Sequence, residues 1–345
     1  MKNMRPPKLG EDVLLFYKDF EKDSFFAGDR YIKRILRPIY NAFKKTQKVS
    51  GFYVWYQLLI KSLELQGYNV HLNNYRLAKK NPDYPVGLVG YPHLLNDWSL
   101  PNPAVLGPCL HDHPLEAPRI MEDSRFKFYM LTSQWIIDMF KPYYGECVVF
   151  WYAGMDVSKW ANTQTHEKTY DILIYDKVRW NREKYEGELI NPIKSYLRNQ
   201  GLKYTIIRYG RYDHQAYRDA LSQSKAMIFL CEHETQGMAY QEALTSNLPV
   251  LAWDNGYWLD PRRPKFDPNP IPATSVPYFS PQCGEKFTDI ANFPETFDKF
   301  WASIDSYEPR KFIERELSFA GSAELYMKYY HSAAKTNLAN KLHDD

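Results

Sequence analysis

The sequence predicts an α/β protein in which parallel strands alternate with helices. The apolar run at residues 226–231 has the length and the β-branched and aromatic content of a strand buried on both faces. Residues 225–254 as a whole indicate strand, loop, helix and strand, a βαβ unit with a right-handed crossover. The length of 345 residues suffices for two domains of ordinary size.

Composition excludes several classes of protein. Hydrophobic content of 44% and charged content of 25% are typical of a soluble globular protein, and a net charge of +3 is too small to indicate nucleic-acid binding. No apolar window is long enough for a spanning helix, and the N-terminal apolar run is too short for a secretory signal. The four cysteines lack metal or disulfide spacing, which predicts reduced thiols in the cytoplasm.

The first half is predicted to contain six strands. They are residues 12–17, 68–72, 86–89, 104–106, 126–131 and 148–151. A helix is predicted over residues 54–66 with Gly67 as its stop, and another starts at residue 133. The turn at Gly51, just before the first of these helices, can bring backbone N–H groups close to a phosphate.

An insertion at residues 23–48 precedes that turn, and its second half is strongly basic. Residues 29–48 carry seven lysines and arginines against one aspartate, with apolar residues at helical spacing among them. Such a helix can lie on an anionic membrane surface. A helix packed on its own domain, with a solvated basic face, is an equal alternative, and Pro38 would kink either helix.

Two histidines, His111 and His113, follow the predicted strand at residues 104–106. A His-x-His pair can bind a metal, but no third ligand with fitting spacing is present in the sequence. His111 is the better candidate for a functional role, and a histidine that only caps the loop is the alternative.

The second half begins after a polar linker at residues 161–168. Strands are predicted at residues 171–175, 204–209, 226–231 and 250–253. Helices are predicted at 188–199, 217–224 and 238–246, and Thr235 is expected to be the N-cap of the last of these. Proline-rich residues 260–281 indicate an irregular segment, and helices follow at 297–304, 310–316 and 322–334.

The loop after the strand at residues 171–175 contains Arg179 and Lys184. A bidentate guanidinium and a point-like ammonium at the mouth of a strand suit a diphosphate leaving group. Donors aimed at that group act on the transition state, because its charge grows as the bond breaks. A solvated basic turn is the alternative.

Two carboxylates, Glu234 and Glu242, flank the start of the helix predicted at residues 238–246. Their spacing corresponds to about 10 Å along a helix, which suits two groups gripping different parts of an extended ligand. The helix N-terminus between them favours an anion. A sugar nucleotide has this layout, whereas two solvated surface glutamates are the alternative.

These residues resemble a known signature. Glu234-x7-Glu242 with Gly237, followed by Glu242-Ala243-Leu244 and Leu248-Pro249-Val250, looks like the donor site of family-4 glycosyltransferases. The resemblance implies the GT-B fold, with two Rossmann-like domains facing across a cleft. It implies an acceptor domain at residues 1–157, a nucleotide-sugar donor domain at 158–318 and a helix at 319–345 that returns to the first domain.

The resemblance also implies roles for individual residues. Glu242 would bind the ribose and Glu234 would lie beside the donor sugar, while Arg179 and Lys184 match the family's R-x4-K pair at the diphosphate. Gly51 resembles the glycine loop of the first domain, and His111 the histidine near the reacting sugar. Val178 and Asn247 depart from the family, which usually has glycine there. The implied donor-site residues between the two glutamates are Thr235, Gln236, Gly237 and Met238.

The predicted function is transfer of a sugar from a nucleotide diphosphate sugar, with UDP or GDP as the nucleotide, to a hydroxyl acceptor with retention of configuration. The acceptor would be a glycan, a lipid-linked molecule or a small molecule. No cofactor or metal is expected, since the chain has no Asp-x-Asp. The protein would be cytoplasmic, with peripheral contact at the inner membrane face through residues 29–48. The alternatives are an inactive nucleotide- or carbohydrate-binding protein and a sugar-nucleotide epimerase of the same fold.

Overall fold

The computed structural model describes residues 5–18, 51–163 and 167–341. The basic segment at residues 29–48 lies outside the described residues, so membrane contact through it stays a prediction. Among the described residues, none of the helices is both long enough and apolar enough to span a bilayer.

The first sheet confirms the six strands predicted in the first half. They are β1 (Asp12–Lys18), β2 (Asn69–Leu72), β3 (Val86–Gly90), β4 (Ala104–Leu106), β5 (Phe126–Leu131) and β6 (Val148–Phe150). Their order is β2-β1-β3-β4-β5-β6, and β1 pairs in parallel with both β2 and β3. The first six residues of β1 are all buried, as expected of a strand covered on both faces.

Four α-helices accompany these strands in the described residues. They are α1 (Gly51–Leu65), α2 (Tyr75–Lys80), α3 (His93–Asn96) and α4 (Gln134–Tyr144). Helix α1 begins at Gly51, three residues before the predicted start, and Gly67 ends the segment with a φ of 84°. Helices α2 and α3 were not predicted, because elements of six and four residues are too short to show helical periodicity.

The second sheet contains five strands. They are β7 (Tyr170–Lys177), β8 (Tyr204–Arg208), β9 (Ser224–Cys231), β10 (Val250–Trp253) and β11 (Gly284–Phe287). The order is β11-β10-β9-β7-β8, with parallel pairing throughout. Two parallel sheets with helices confirm the α/β class. The edge strand β11 was missed, because the segment Gly284-Glu285-Lys286-Phe287 carries two charges and no apolar run.

Strand β7 extends two residues beyond its predicted end. Asp176 and Lys177 pair with Leu230 and Cys231 of β9, so the neighbouring strand holds them in extended backbone despite their polar side chains. This extension places Lys177 at the carboxyl end of the strand, where ligands bind in parallel sheets.

Helices cover both faces of the second sheet. They are α5 (Arg182–Tyr185), α6 (Asn191–Asn199), α7 (His214–Gln223), α8 (Met238–Thr245), α9 (Phe293–Ala302) and α10 (Pro309–Glu316). The next helix along the chain is α11 (Phe319–Lys341). Leu173 and Tyr175 of β7 belong to a core that includes α7, α8 and α10, whereas Ile172 and Ile174 belong to a second core with α6 and α9. This alternation follows from the two-residue period of a strand.

The N-cap of α8 was predicted wrongly. The cap is Gly237, in the left-handed region with a φ of 84°, and it makes no side-chain capping hydrogen bond. The Thr235 side chain therefore does not start this helix, because the chain makes its turn two residues later, at the one residue that adopts a positive φ without strain. The helix is followed by Asn247 with a φ of 65°, which confirms that asparagine takes the left-handed turn where glycine is usual.

Two compact units divide the described chain. The first contains residues up to 112, 116–130 and 323 onward, and the second contains 113–115 and 131–322. Helix α11 packs in the first unit from Ala323, where the buried Tyr330 hydroxyl donates to the Pro85 carbonyl at 2.6 Å and accepts from the Leu14 N–H at 2.8 Å.

Arg310, in the second unit, stabilises the C-terminal end of α8 by hydrogen bonds. Its guanidinium donates to the carbonyls of Thr245 at 2.6 Å, Trp160 at 2.8 Å and Val157 at 3.0 Å. We expect Arg310→Met to lower the free energy of unfolding by about 1–3 kcal/mol, because these acceptors lose their donor. Urea unfolding measures the loss. The matched control is Lys311→Met, at a neighbouring side chain that is 69% exposed. Equal stability of the two variants would contradict this account of Arg310.

Candidate functional site

The candidate site lies in the second unit, at the carboxyl ends of β7 and β9. These strands are neighbours, and β8 lies on the other side of β7. The chain therefore leaves β7 and β9 in opposite directions across the sheet, which opens a crevice for ligands at the strand ends. The loops after the two strands, residues 178–181 and 232–237, meet there.

Glu234 lies in the loop after β9 and is held there by tertiary contacts. Its carboxylate forms an ion pair with the Lys177 ammonium, and the two side chains are 12% and 14% exposed. The backbone is fixed on both sides of the residue: its N–H donates to the Thr274 carbonyl at 3.0 Å, and its carbonyl accepts from Trp135 Nε1 at 2.9 Å. The predicted catalytic carboxylate is therefore positioned by tertiary contacts before any ligand binds.

Lys177 is a functional candidate that sequence reasoning missed. Its ammonium lies 4.6 Å from the centre of the Tyr209 ring, in addition to its contact with Glu234. Burial by itself would lower the pKa of Lys177, but the Glu234 carboxylate raises it above its ordinary value, so the ammonium stays charged. The signal in the sequence was a lysine two residues after the predicted end of a buried apolar strand.

Arg179 is anchored by a second carboxylate that the sequence did not single out. Glu232 is fully buried, and its Oε1 accepts the backbone N–H groups of Arg179 at 2.7 Å and Trp180 at 2.9 Å. Its Oε2 lies 3.7 Å from Arg179 Nε, and the guanidinium also stacks over the Trp180 ring at 4.2 Å. The loops after β7 and β9 are thus joined by two ion pairs, Lys177–Glu234 and Arg179–Glu232.

His233 lies between these two glutamates, among aromatic rings. Its imidazole stacks on Trp180 at 5.3 Å and meets the edge of Trp135 at 5.8 Å. Burial, together with the positive charge of Arg179, lowers the pKa of His233 to about 3. The ring is therefore neutral at physiological pH and packs the loop, and it does not carry a charge to the ligand.

Lys184 is not brought together with these groups. It lies on α5 with its side chain 58% exposed, and its nearest ion-pair partner is Glu188 at 3.9 Å, on the same helical face. Arg182, between the two motif residues, is paired with Asp176 at 2.7 Å and with Glu186. Of the R-x4-K pair, only Arg179 contacts the cluster around Glu232 and Glu234.

The residues between the two motif glutamates shape the start of α8. Gln236 is fully buried and bonds both backbone groups of Ala153, accepting at 3.0 Å and donating at 2.8 Å. The Thr235 carbonyl accepts from Thr132 Oγ1 at 2.9 Å, and Met238 is the first residue of the helix. Gln236 therefore holds the loop in place, and both N–H groups of its side-chain amide donate to protein acceptors.

Glu242 lies one turn inside α8 and is partly exposed. Among the described residues, none donates a hydrogen bond to its carboxylate. Burial raises the pKa of Glu242 to about 8, although the positive charges of Lys159 and Arg218 oppose the shift. A carboxyl group held without a protein donor is available to bind hydroxyls of a ligand.

His111 and Gly51 belong to the first unit. The Tyr129 hydroxyl lies 3.0 Å from the His111 backbone N–H and 3.1 Å from its Nδ1, and burial lowers the pKa of the imidazole. Gly51 is the first residue of α1 and would have open space around an added Cβ. Their predicted roles at the donor stay predictions. Within the described residues, no group of three or more His, Cys, Asp or Glu could hold a metal ion.

Comparison with protein-family models found no match, and comparison with curated proteins found none either. Solved structures with a similar fold include the lipopolysaccharide outer core galactosyltransferase WaaB in its apo form. It is 11% identical over 94% of this chain and 99% of its own, with a TM-score of 0.48. The catalytic domain of starch synthase IV from Arabidopsis thaliana, bound to ADP and acarbose, is 10% identical over 85% of this chain and 80% of its own, with a TM-score of 0.48.

A third similar structure is TarM, which is 14% identical over 72% of this chain and 55% of its own, with a TM-score of 0.47. This chain therefore spans about half the length of TarM. At such low identities and TM-scores, the function has to be argued from the residues of this chain.

The arrangement combines three chemical capacities at one edge of the sheet. A carboxylate with little exposure, Glu234, can accept hydrogen bonds from hydroxyls and stabilise a developing positive charge. The cations Lys177 and Arg179 can neutralise an anion beside it. Glu242, one turn into the following helix, can bind a second pair of hydroxyls.

Proposed function

We propose that this protein is a glycosyltransferase of the GT-B type that uses a nucleotide diphosphate sugar. The observation that carries the proposal is the grouping of Glu234, Lys177 and Arg179 at the carboxyl ends of β7 and β9, with Glu242 on the helix that follows. This layout offers cations to a diphosphate and a carboxylate to the groups on each side of it.

In this proposal Glu242 binds the ribose hydroxyls and Arg179 binds the diphosphate. Glu234 accepts hydrogen bonds from the donor sugar and stabilises the oxocarbenium-like centre formed when the bond to the diphosphate breaks. Retention of configuration, independence of metal, and UDP or GDP as the nucleotide are parts of the same proposal. The acceptor is a hydroxyl of a glycan, a lipid-linked molecule or a small molecule.

The proposal is tested by thermal unfolding in the presence of UDP, GDP, ADP and their sugar conjugates. A ligand that binds only the native state stabilises it by RT ln(1 + [L]/Kd), so the unfolding temperature rises with ligand concentration. Release of free sugar from the stabilising conjugate then reports slow transfer to water. If no nucleotide of the panel stabilises the protein, the proposed function is wrong.

An inactive binding protein is the second candidate, and the Lys177–Glu234 ion pair is the observation in its favour. A carboxylate already paired with an ammonium is less free to act on a sugar. An inactive protein would be stabilised by a nucleotide sugar but would release no sugar from it. The epimerase alternative would convert the donor without an acceptor, which product analysis detects.

Glu242→Ala is expected to weaken nucleotide binding at pH 7 by about 0.5–1.5 kcal/mol, the value of a hydrogen bond between neutral groups, because a pKa of about 8 keeps the carboxyl mostly protonated in the free protein. Titration calorimetry with the nucleotide that stabilises the wild type measures the change. The control is Glu183→Ala, which removes an exposed glutamate from α5. Unchanged affinity in Glu242→Ala would refute the ribose-binding role.

The raised pKa of Glu242 predicts a dependence of stability on pH. The ordinary pKa is 4.5 and the folded value is about 8, so between these values the folded state binds more protons than the unfolded state. Its stability therefore falls as pH rises from 4.5 through 8. We expect Glu242→Gln, which cannot ionise, to lose less stability than the wild type between about pH 5 and pH 9. Parallel pH curves for the two proteins would contradict the raised pKa.

A further inference from the structure

The Lys177 ammonium has more hydrogen-bond donors than the protein uses. A lysine ammonium carries three N–H donors. Among the described residues, one donor goes to Glu234 Oε1, and the Tyr209 ring covers another side at 4.6 Å. The side chain is 14% exposed, so few water molecules can reach the remaining donors. A partly desolvated ammonium of this kind can donate a hydrogen bond to a further acceptor.

We propose that Lys177, rather than the motif residue Lys184, is the second cation that binds the diphosphate of the donor, and that it holds Glu234 at the same time. This inference rests on the proposed function. It assigns to the last residue of a strand a role that the R-x4-K spacing assigns to a residue seven positions later.

Position and mobility favour Lys177 over Lys184. Lys177 is held by strand pairing with Cys231, at the same strand ends as Glu234. Lys184 lies on α5 with its side chain 58% exposed, beside Glu188. Bringing Lys184 to a ligand would cost side-chain entropy and the contact with Glu188, whereas Lys177 is already immobilised beside Arg179 and Glu234.

The charges of the cluster also favour a role for Lys177 in binding both Glu234 and the diphosphate. Lys177 and Arg179 face Glu234 and Glu232, so two cations meet two carboxylates and the cluster is formally neutral. A diphosphate adds negative charge to this neutral group. Since Arg182 is already paired with Asp176 and Glu186, Arg179 and Lys177 are the two cations at these strand ends with N–H donors to spare.

The experiment compares nucleoside diphosphates with the matching monophosphates, which isolates the contribution of the second phosphate. Affinities for UDP and UMP, GDP and GMP, and ADP and AMP are measured by calorimetry on the full chain. We expect Lys177→Met to reduce the preference for the diphosphate at least about tenfold, and Lys184→Met to change it less than about twofold. Lys203→Met, at an exposed lysine before β8, is the control.

Removal of Lys177 leaves the Glu234 charge buried, so Lys177→Met can fail to fold. The double variant Lys177→Met with Glu234→Gln removes both charges and tests the same loss in a folded protein. Lys177→Arg keeps a cation and should retain most of the diphosphate preference.

A tenfold loss in Lys184→Met with a normal preference in Lys177→Met or the double variant would overturn the inference and leave the proposed function intact. If the wild type itself binds no diphosphate, the proposed function and the inference both fail. The two failures are therefore distinguished by the wild-type titration alone.

Discussion

Glu234→Gln is expected to lower sugar transfer by a factor of about 10²–10³, equivalent to about 2.7–4 kcal/mol of transition-state stabilisation. The amide has the shape of the carboxylate but no charge to stabilise an oxocarbenium-like centre. It also leaves the buried Lys177 ammonium without its counter-charge. Because the nucleotide is bound through other residues, its affinity should change far less than the rate.

Steady-state kinetics with the donor identified by thermal unfolding separates the two quantities. A fall in kcat with little change in KM would place the effect in the transition state. Glu188→Gln, at a glutamate that is 65% exposed on the adjacent helical segment, is the matched control. Near-normal transfer by Glu234→Gln would show that Glu234 takes no part in the reaction and that its ion pair with Lys177 is only structural.

Gly237→Ala is expected to cost about 3–5 kcal/mol of stability and to abolish donor binding. Gly237 has a φ of 84°, a conformation that strains any residue with a Cβ. An added Cβ would also lie 2.1 Å from Cε1 of Tyr240, which is fully buried and cannot move aside. The backbone at the start of α8 would therefore have to shift, and with it the loop that carries Glu234.

Gly201→Ala is the control that separates the backbone strain of a positive φ from the steric clash with Tyr240. Gly201 has a φ of 70° but open space around it, so its alanine variant should lose only about 1–2 kcal/mol, the cost of the left-handed backbone. Urea unfolding of both variants measures the difference. Equal losses would mean that Tyr240 accommodates the Cβ and that packing at Gly237 is looser than the structure indicates.

The strands of both sheets could be predicted because their signal is local. Buried parallel strands are short apolar runs, and β1, β9 and β10 are runs of this kind. The same reasoning failed for β11, whose strand backbone depends on pairing with β10, and for the last two residues of β7. At these positions the neighbouring strand, and not the local composition, fixes the backbone.

The start of α8, near the candidate site, also could not be predicted from the local sequence. Thr235 was the expected N-cap because its side chain is of the capping type, but Gly237 occupies that position. The Glu234 backbone is held to Thr274 and Trp135, and Gln236 to Ala153. These long-range hydrogen bonds keep the chain in a loop for two further residues. They do not depend on the N-capping propensity of Thr235.

The sequence by itself determined the fold class and the strand that precedes each loop of the candidate site, because these depend on residues close together in the chain. The roles of Glu234 and Glu242 stay predictions. Only the tertiary structure decided which charges meet. Lys177 and Glu234 are 57 residues apart and become partners because β7 and β9 are adjacent and in parallel register. Lys184 lies seven residues beyond Lys177 but on the exposed face of a helix. Strand order and register arise from packing of the whole sheet, so spacing along the chain could not distinguish these two lysines.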